Sequence, residues 1–483
     1  MWLLVAAVAC GRVGTSILKV IIRPLGNVIV QAESISQQQF VISKEPKTKE
    51  FRLLVEAMNR LSTSVKKMLE KKTRELELLR QESQQDTVTK LPNRRHFLNM
   101  LDSSLTQEDS PSIGCLCIIR VLNLGIINGR HGHQTTDLIL KNIGETLSRA
   151  ADKHKESYAG RLNGADFALV SYSYKTLTDI ANQLSSSLFG NLERFSNQEI
   201  ALELPIAACC FRVGEQRSVI LALLDGAITM AESKGNSAVI ILEEHAPFKS
   251  QNTEEWRTAI TTALETEEIT LGSFPVRLLN GDSLHLEMPV RMKFDVEWRP
   301  AGYFIGWADK LDLLDEIDLQ VLKLALLKIE ASHEQVAINI SEDALCSDHF
   351  RTQAIQLLER DSEHTAHLWI EFPEAAAIKN PGLFPQFCNQ LKSLGCRVGL
   401  EHVGSEFTKI LDLQGLGLHY LKVDSSVIRD IHMDETNHDF LKGLCNIGHS
   451  LGITMIAEGV MNNQQKSVLE SLNLDAVTGP GVD

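Results

Sequence analysis

The sequence lacks two features that would assign it to common protein classes. It has no surplus of positive charge, because 48 Lys and Arg stand against 62 Asp and Glu, for a formal net charge of -14. Contacts to nucleic-acid phosphates need clustered Lys and Arg, so this balance argues against a general nucleic-acid binder. It also lacks a regular cysteine framework, since its nine cysteines include an odd one and several lie in strand-like apolar runs. We therefore expect reduced, buried thiols rather than disulfides or a zinc site.

The length and composition of the chain predict a globular protein of at least two domains. It has 483 residues, of which 43% are hydrophobic and 23% charged. Residues 1–22 are nearly all apolar except for Arg12 and Lys19, and we interpret them as an incomplete membrane helix, because spanning a bilayer takes about 20 apolar residues. A secretory signal is the alternative, but no small-residue cleavage site precedes a folded domain.

A long helix is predicted from about Lys49 to Gln85. Apolar residues recur along it at alternating four- and three-residue steps, namely Leu54, Met58, Leu61, Val65 and Met68. This spacing is typical of one face of a parallel coiled coil, so we expect a homodimer, and a helix that packs along its own domain is the alternative. Together with Arg23-Pro24-Leu25 and Ala57-Met58-Asn59, the pattern resembles a HAMP relay over residues 23–70, followed by a signalling helix over residues 71–85.

The next segment begins with Asp86-Thr-Val-Thr-Lys-Leu-Pro-Asn-Arg-Arg-His-Phe97, where Pro92 and Asn93 separate two elements. The string resembles the entry of GGDEF diguanylate cyclase domains. A strand-like run at residues 115–121, a loop at residues 128–133 and the string Arg161-Leu-Asn-Gly-Ala-Asp-Phe-Ala-Leu169 follow in the order of that family. The resemblance implies a cyclase-like α/β domain over residues 86–245.

Carboxylates that the resemblance implies for this domain are missing. Joining two GTP molecules needs acidic side chains to hold magnesium on the triphosphate. Arg120 stands where the family places its first metal aspartate, Leu122 occupies a second acidic position, and the inhibitory Arg-x-x-Asp motif is replaced by residues 154–157. The signature loop is degenerate, and we interpret it as a tight hairpin turn formed by Asn163, Gly164, Ala165 and Asp166.

The C-terminal half, residues 256–483, alternates short apolar runs with helical stretches. Several runs end in a polar or charged side chain at intervals of about one βα unit: Leu286-Glu287, Ala337-Ile-Asn339, Trp369-Ile-Glu371, Val398-Gly-Leu-Glu401, Leu421-Lys-Val-Asp424 and Met455-Ile-Ala-Glu458. This pattern predicts a TIM-like (β/α) barrel with a site on the C-terminal rim of its strands. A single carboxylate would be a helix cap or a surface group, but five carboxylates and one amide that converge indicate a site.

The same positions resemble the EAL family of cyclic-di-GMP phosphodiesterases from Phe274 to Asp483. Glu287-Met-Pro-Val-Arg291 stands where that family has Glu-Ala-Leu-x-Arg. The resemblance implies a cyclic-di-GMP site made of Glu287, Arg291, Asn339, Glu371, Glu401, Lys422, Asp424 and Glu458.

Departures from the EAL pattern concentrate on the metal loop. The paired aspartates of Asp-Asp-Phe-Gly appear as Glu401-His402-Val403-Gly404, a late glutamine as Thr478, and a late glutamate as Met461. Hydrolysis in that family relies on two metals held by the lost pair. We therefore expect no catalytic residues, no metal site and no required cofactor, although His402 as a ligand leaves residual hydrolysis open. Binding needs a shaped pocket and an arginine on phosphate, which are retained.

Within this superfamily the chain resembles LapD-type receptors. The stretches that carry the likeness are residues 23–25, 161–167, 370–374, 420–424 and 478–482. The resemblance implies an inactive, dimeric receptor at the bacterial inner membrane, with both domains in the cytoplasm, that relays cyclic-di-GMP binding outward in biofilm and adhesin control. Its periplasmic protease partner binds a domain that we expect to be missing from this chain, either because the chain is a fragment or because it starts internally. A weakly active phosphodiesterase and an adaptor that binds no nucleotide remain alternatives.

Overall fold

The computed structural model describes residues 23–36, 42–46, 48–107, 111–172, 176–192, 195, 202–235, 237–242, 253–404, 417–433 and 435–482. Its helices are α1 (Arg23–Ser36), α2 (Lys49–Gln84), α3 (Arg94–Thr106), α4 (Leu124–Ala151), α5 (Leu177–Leu192), α6 (Arg217–Lys234), α7 (Thr253–Glu265), α8 (Ala301–Lys310), α9 (Leu314–Ser332), α10 (Glu342–Cys346), α11 (Asp348–Arg360), α12 (Glu374–Lys379), α13 (Leu383–Ser393), α14 (Ser425–Ile428), α15 (His438–Ser450) and α16 (Asn463–Ser471). Its strands are β1 (Ile113–Arg120), β2 (Tyr158–Arg161), β3 (Asp166–Ser171), β4 (Ile206–Arg212), β5 (Val239–Leu242), β6 (Ile269–Leu271), β7 (Phe274–Leu278), β8 (Ser283–Glu287), β9 (Val290–Phe294), β10 (Glu297–Pro300), β11 (Val336–Asn339), β12 (Leu368–Pro373), β13 (Arg397–Val403), β14 (Tyr420–Val423), β15 (Thr454–Ala457) and β16 (Ala476–Val477).

The N-terminal arm consists of α1, a short connector and the 36-residue helix α2. Helix α2 contains neither Gly nor Pro and is rich in Leu, Glu, Lys and Arg, which favour helix, so it runs without a break through the predicted boundary at residue 70. Asn59 joins the three parts, because its Oδ1 accepts from Gln31 Nε2 and from Ser43 N, each at 2.9 Å. In the part of the chain that is described, no helix is both long and apolar enough to cross a membrane, and the membrane helix predicted at residues 1–22 lies outside that part.

Helix α2 presents different faces along its length. Three members of the predicted seam, Leu54, Leu61 and Met68, are 41%, 51% and 58% exposed in the single chain. Leu76, by contrast, is 1% exposed and belongs to the hydrophobic core of the C-terminal domain, where it meets Gly443 of α15. The C-terminal half of α2 is therefore part of a packed interface within the chain, whereas the N-terminal half leaves an apolar stripe uncovered.

The α/β domain is built on a five-stranded sheet of order β2-β3-β1-β4-β5, in which β1 is antiparallel to both neighbours. Apolar clusters cover both faces of the sheet, because β1 and β4 are buried almost throughout. The loop predicted at residues 128–133 was wrong, since those residues belong to α4. Only Gly132 departs from the helix, with a φ of 79° that glycine adopts without steric cost.

The C-terminal domain is a closed barrel of order β11-β12-β13-β14-β15-β16-β7-β8. The strands from β11 to β16 are parallel, as is the β8–β11 pair, whereas β7 is antiparallel to both β8 and β16. A small side sheet of order β10-β9-β6 lies next to it. The predicted barrel is confirmed.

Helix α3 of the α/β domain docks on α14, which follows strand β14 of the barrel. Ser425 Oγ donates to Ser103 Oγ at 2.6 Å, and Asn99 Nδ2 donates to the carbonyl oxygen of Ser426 at 3.2 Å. Arg429 extends the contact by donating to Thr106 Oγ1 at 2.7 Å. These polar bonds join residues more than 300 positions apart and place the α/β domain over the barrel rim.

Two further contacts hold the same arrangement. The backbone N–H and the hydroxyl of Ser112 both donate to the carbonyl oxygen of Gly302, each at 2.8 Å. Lys155 Nζ lies 2.6 Å from Asp309 Oδ1 and 2.6 Å from Asp343 Oδ2. The α/β domain is thus fixed to the barrel at three separate points, and we call these contacts the docking interface.

Acid is expected to weaken the folded chain through His96 on α3. The side chain is 9% exposed, and burial, helped by Arg80 and opposed by Asp424, lowers its pKa to about 4. The unfolded state binds a proton below pH 6.5, so the stability due to neutral His96 is complete above pH 6.5 and is lost as the pH falls through 4. The loss amounts to about 3 kcal/mol.

This effect can be measured from melting temperatures of the wild type and the His96→Gln variant between pH 7.5 and pH 4.5. The wild type should lose more of its melting temperature on acidification than the variant. The matched control is His349→Gln, which changes an exposed histidine. An equal acid response in the wild type and His96→Gln would contradict the prediction.

Candidate functional site

The barrel strands bring the predicted rim residues to one edge. They stand at or directly after the C-terminal ends of successive strands: Glu287 (β8), Asn339 (β11), Glu371 (β12), Glu401 (β13), Asp424 (after β14) and Glu458 (after β15). In a parallel barrel these ends meet on one face, so the strand pattern of the sequence positions the site.

Lys422 lies fully buried among the rim carboxylates. Its Nζ is 2.5 Å from Glu371 Oε2 and 2.8 Å from Glu287 Oε2. Burial lowers the pKa of Lys422, but the carboxylates of Glu287 and Glu371 raise it by more, so the side chain is an ammonium at neutral pH. Burial raises the pKa of Glu371 to about 8 and that of Glu401 to about 7, although the ammonium opposes both shifts. We call Lys422, Glu287, Glu371 and Glu401 the Lys422 cluster.

His402 forms a second group with Asp424 and Glu458, the His402 cluster. A register shift of β13 between residues 400 and 403 and a φ of 53° direct His402 to the rim, where bulges commonly re-aim a side chain. Its Nδ1 is 3.1 Å from Glu458 Oε2 and 3.4 Å from Asp424 Oδ2. Burial lowers the pKa of His402, but the nearby carboxylates raise it well above its usual value. Burial raises the pKa of Asp424, and His402 lowers it by more, to about 2.

Both clusters were tested as places for the divalent ions that the EAL resemblance implies. Three carboxylates of the Lys422 cluster have ligand atoms within 4.8 Å of one another, and so do the three residues of the His402 cluster. In the first set, however, the carboxylates already surround the Lys422 ammonium. In the second set, the two carboxylates already pair with the His402 imidazolium. His402 brings no negative charge, and it can bind a metal only after it loses the proton that the neighbouring carboxylates stabilise, so the donor set fits two divalent ions poorly.

A cavity of about 1460 Å³ lies between the barrel rim and the α/β domain. The α/β domain contributes residues of α3, β1 and the 153–158 turn to its wall. Three predicted binding residues line it, namely Asn339, Glu401 and Asp424, and His402 joins them. The other five do not line it: Glu287, Arg291, Glu371, Lys422 and Glu458. In this arrangement the α/β domain therefore covers part of the rim.

Arg291 lies on β9 rather than on the barrel itself. Its backbone is in register with Thr270 of β6 and Pro300 of β10, so the residue belongs to the side sheet next to the rim. The structure thus brings the carboxylates together and leaves Arg291 at the border of the site.

Arg120, at the end of strand β1, pairs with two carboxylates of the α/β domain. Its Nε is 2.6 Å from Asp166 Oδ1, its Nη2 is 2.9 Å from Asp166 Oδ2, and its Nη1 is 2.8 Å from Glu232 Oε1. Such a bidentate pair is among the stronger charge-assisted contacts. The one carboxylate that the signature loop retains is therefore occupied by an arginine of the neighbouring strand.

The signature loop forms the tight turn that the sequence predicted. Asn163 Oδ1 accepts from the backbone N–H groups of Ala165 and Asp166, and Asn163 Nδ2 donates to Asp166 Oδ2 at 2.7 Å. Gly164 completes the turn between β2 and β3, where an added Cβ would meet nothing within 4 Å. Structural bonds account for the polar groups of this loop.

Sequence reasoning did not identify the residues of the docking interface. Lys155 lies within residues 154–157, where the GGDEF family has an inhibitory motif that this chain lacks. The absence of that motif from the sequence was the only sign that this turn has another role. Nothing in the sequence pointed to Ser103 or Ser425, because their contact joins distant segments.

Two family profiles match the chain. Residues 83–238 match the family described as "Diguanylate cyclase, GGDEF domain", and residues 257–482 match the family described as "EAL domain". The chain is 24% identical over 406 residues to the signaling protein YkoW of Bacillus subtilis, covering 82% of this chain and 50% of that protein. It is 23% identical over 422 residues to the cyclic di-GMP phosphodiesterase PdeB of Shewanella oneidensis, covering 82% and 47%. It therefore spans about half the length of these relatives.

The fold also resembles a solved structure, the Vibrio cholerae LapD S helix-GGDEF-EAL unit in its apo form. The TM-score is 0.75 at 20% sequence identity, and the match covers 86% of this chain and 99% of that one. The likeness extends over a long helix and both domains, so the two chains share this fold.

Proposed function

Because this chain joins a GGDEF domain to an EAL domain, we propose that it is a catalytically inactive cyclic-di-GMP receptor. The nucleotide binds at the barrel rim, and the rim does not hydrolyse it. The observation that supports this best is that both carboxylate clusters are paired with cations of the protein, Lys422 and His402, where hydrolysis of this kind uses two metal ions. Binding then needs no metal cofactor, because the positive charge at the rim belongs to the chain.

The GGDEF domain serves as a cover in this proposal and not as a cyclase. Arg120 pairs with Asp166, the acidic side chain of the signature loop that would have to help hold magnesium on a triphosphate. The same domain is bonded to the rim at three points and walls the interdomain cavity. The nucleotide and the GGDEF domain therefore compete for the rim. The nucleotide can shift the equilibrium between the closed and open arrangements only by as much as its binding free energies for the two arrangements differ.

Helix α2 relays the change. Its C-terminal half packs on α15 through Leu76, and its N-terminal half carries the exposed seam of Leu54, Leu61 and Met68. A second copy of the chain buries that seam in a parallel coiled coil, so that release of the GGDEF domain alters the helix pair. As the LapD resemblance implies, we place the protein at the bacterial inner membrane as a homodimer with a HAMP relay, both domains in the cytoplasm, in biofilm and adhesin control.

Calorimetric titration of the full chain in detergent with cyclic-di-GMP tests the proposal. We expect one nucleotide bound per barrel, an affinity that changes by less than about twofold between excess Mg²⁺ or Mn²⁺ and EDTA, and intact nucleotide on chromatography afterwards. GTP incubated with the same sample should also be recovered unchanged. Absence of binding would point instead to an adaptor that takes no nucleotide.

A weakly active phosphodiesterase is the second candidate. The observation in its favour is that, within each of the two sets, the ligand atoms lie within 4.8 Å of one another, close enough to hold an ion if the cations move. This candidate predicts slow, metal-dependent formation of linear product that Glu287→Gln abolishes. Product formation that persists in Glu287→Gln would assign the activity to a contaminant.

A further inference from the structure

Two cysteines face each other across the centre of the GGDEF-domain sheet. Cys115 on β1 is directly opposite Cys210 on β4 in an antiparallel register, and their Sγ atoms are 3.5 Å apart. Directly opposite residues have Cβ atoms about 4.5–5.5 Å apart, close to the distance of about 3.5–4.5 Å that a disulfide needs. The neighbouring Cys117 and Cys209 are opposite Ala208 and Leu116 instead. Only a small approach of the two strands therefore separates the first pair from a covalent bond.

The surroundings of the pair differ from those of an inert buried cysteine. Cys115 and Cys210 are 6% and 3% exposed, but both line the interdomain cavity, so a small molecule inside it reaches their sulfur atoms. The hydrogen bond from Cys115 lowers the pKa of Cys210, whereas that bond and burial raise the pKa of Cys115. The contact thus makes the two sulfurs unequal, with Cys210 the more acidic of the pair, an asymmetry typical of reactive dithiols.

We propose that Cys115 and Cys210 are a reversible thiol–disulfide modification site on the wall of the interdomain cavity, with a small hydroperoxide such as hydrogen peroxide as the oxidant. The Cys210 sulfur attacks one peroxide oxygen, so that an S–O bond forms, the O–O bond breaks, and the leaving hydroxide takes a proton to become water. The Cys115 sulfur then attacks the sulfenic sulfur, so that the S–S bond forms, the S–O bond breaks, and a second water leaves with the proton of Cys115. Two thiols are oxidised and one peroxide is reduced, and an external dithiol reverses the change by exchange.

The inference does not rest on nucleotide binding, because it uses only the sheet register, the sulfur contact and the cavity. A thiol that lacks access to the cavity should stay reduced. We expect this for Cys445, which is fully buried in the EAL domain. This lone cysteine supplies a matched control within the same chain.

The test uses the full chain, purified reduced and treated with hydrogen peroxide under native conditions, then alkylated in denaturant and analysed by mass spectrometry without reduction. We expect two fewer alkyl groups per chain than in an untreated control, a cross-linked peptide pair containing Cys115 and Cys210, and full reversal by dithiothreitol. Cys210→Ser and Cys115→Ser should each abolish the cross-link, whereas Cys117→Ser and Cys445→Ser should keep it.

Two outcomes would overturn the assignment. One is a wild-type chain whose Cys115 and Cys210 both remain alkylatable after peroxide treatment, a result that needs no variant and so does not depend on how a variant folds. The other is a loss of two alkylated thiols that persists in Cys210→Ser, because the disulfide would then join other cysteines.

Discussion

Replacing Lys155 by Glu is expected to raise the apparent affinity of the chain for cyclic-di-GMP about tenfold, because it opens the docking interface. Lys155 Nζ lies 2.6 Å from carboxylate oxygens of both Asp309 and Asp343. Its side chain is 46% exposed, so loss of the attraction alone is worth little. The reversed charge adds repulsion by placing three carboxylates together, and a tenfold change corresponds to only about 1.4 kcal/mol.

Calorimetry gives the affinity, and small-angle X-ray scattering shows whether the radius of gyration increases as the domains separate. Lys141→Glu is the matched control, because it makes the same charge change on an exposed residue of the α/β domain that does not line the cavity. Adding Asp309→Lys and Asp343→Lys to Lys155→Glu should restore the closed form. An opened chain whose affinity is unchanged would show that the GGDEF domain does not compete with the nucleotide.

Replacing Arg291 by Ala is expected to weaken cyclic-di-GMP binding by about 30-fold, which corresponds to about 2 kcal/mol for a charge-assisted contact to phosphate. Arg291 lies on β9 at the border of the rim, outside the wall of the closed cavity. It can reach a phosphate there once the GGDEF domain has moved away. The EAL resemblance implies that this arginine binds the nucleotide. We expect Arg291→Ala to leave the fold unchanged.

Calorimetry on Arg291→Ala measures the loss, and the melting temperature verifies that the fold is retained. Arg299→Ala is the matched control, since Arg299 lies on the adjacent strand β10 and contacts Tyr303 and Glu297. If Arg291→Ala binds as tightly as the wild type, the assignment of Arg291 to the nucleotide is wrong. In the double variant with Lys155→Glu, the two opposite effects should add, because they act on separate steps.

Local patterns in the sequence were enough for the architecture of the C-terminal half. Apolar runs that end in Glu287, Asn339 or Glu371 recur at the spacing of βα units, and a closed barrel is the arrangement that buries such strands on both faces. The same local reading located the substitutions at Arg120 and His402, because the replaced residues differ in charge from those of the families that the chain resembles. At residues 128–133 the GGDEF resemblance implied a loop, but α4 runs through them with one break at Gly132.

By itself, the sequence determined the barrel, the rim residues, the tight turn at Asn163 and the apolar seam of α2, because periodicity and strand ends are properties of neighbouring residues. Only the tertiary structure decided that Lys155 bonds Asp309 and Asp343, that Arg120 pairs with Asp166 and Glu232, and that Cys115 meets Cys210. These contacts join side chains from 46 to 188 positions apart, so whole elements have to dock before the side chains can meet. The local sequence pattern does not predict that docking, because docking depends on the shapes and charges of both surfaces at once.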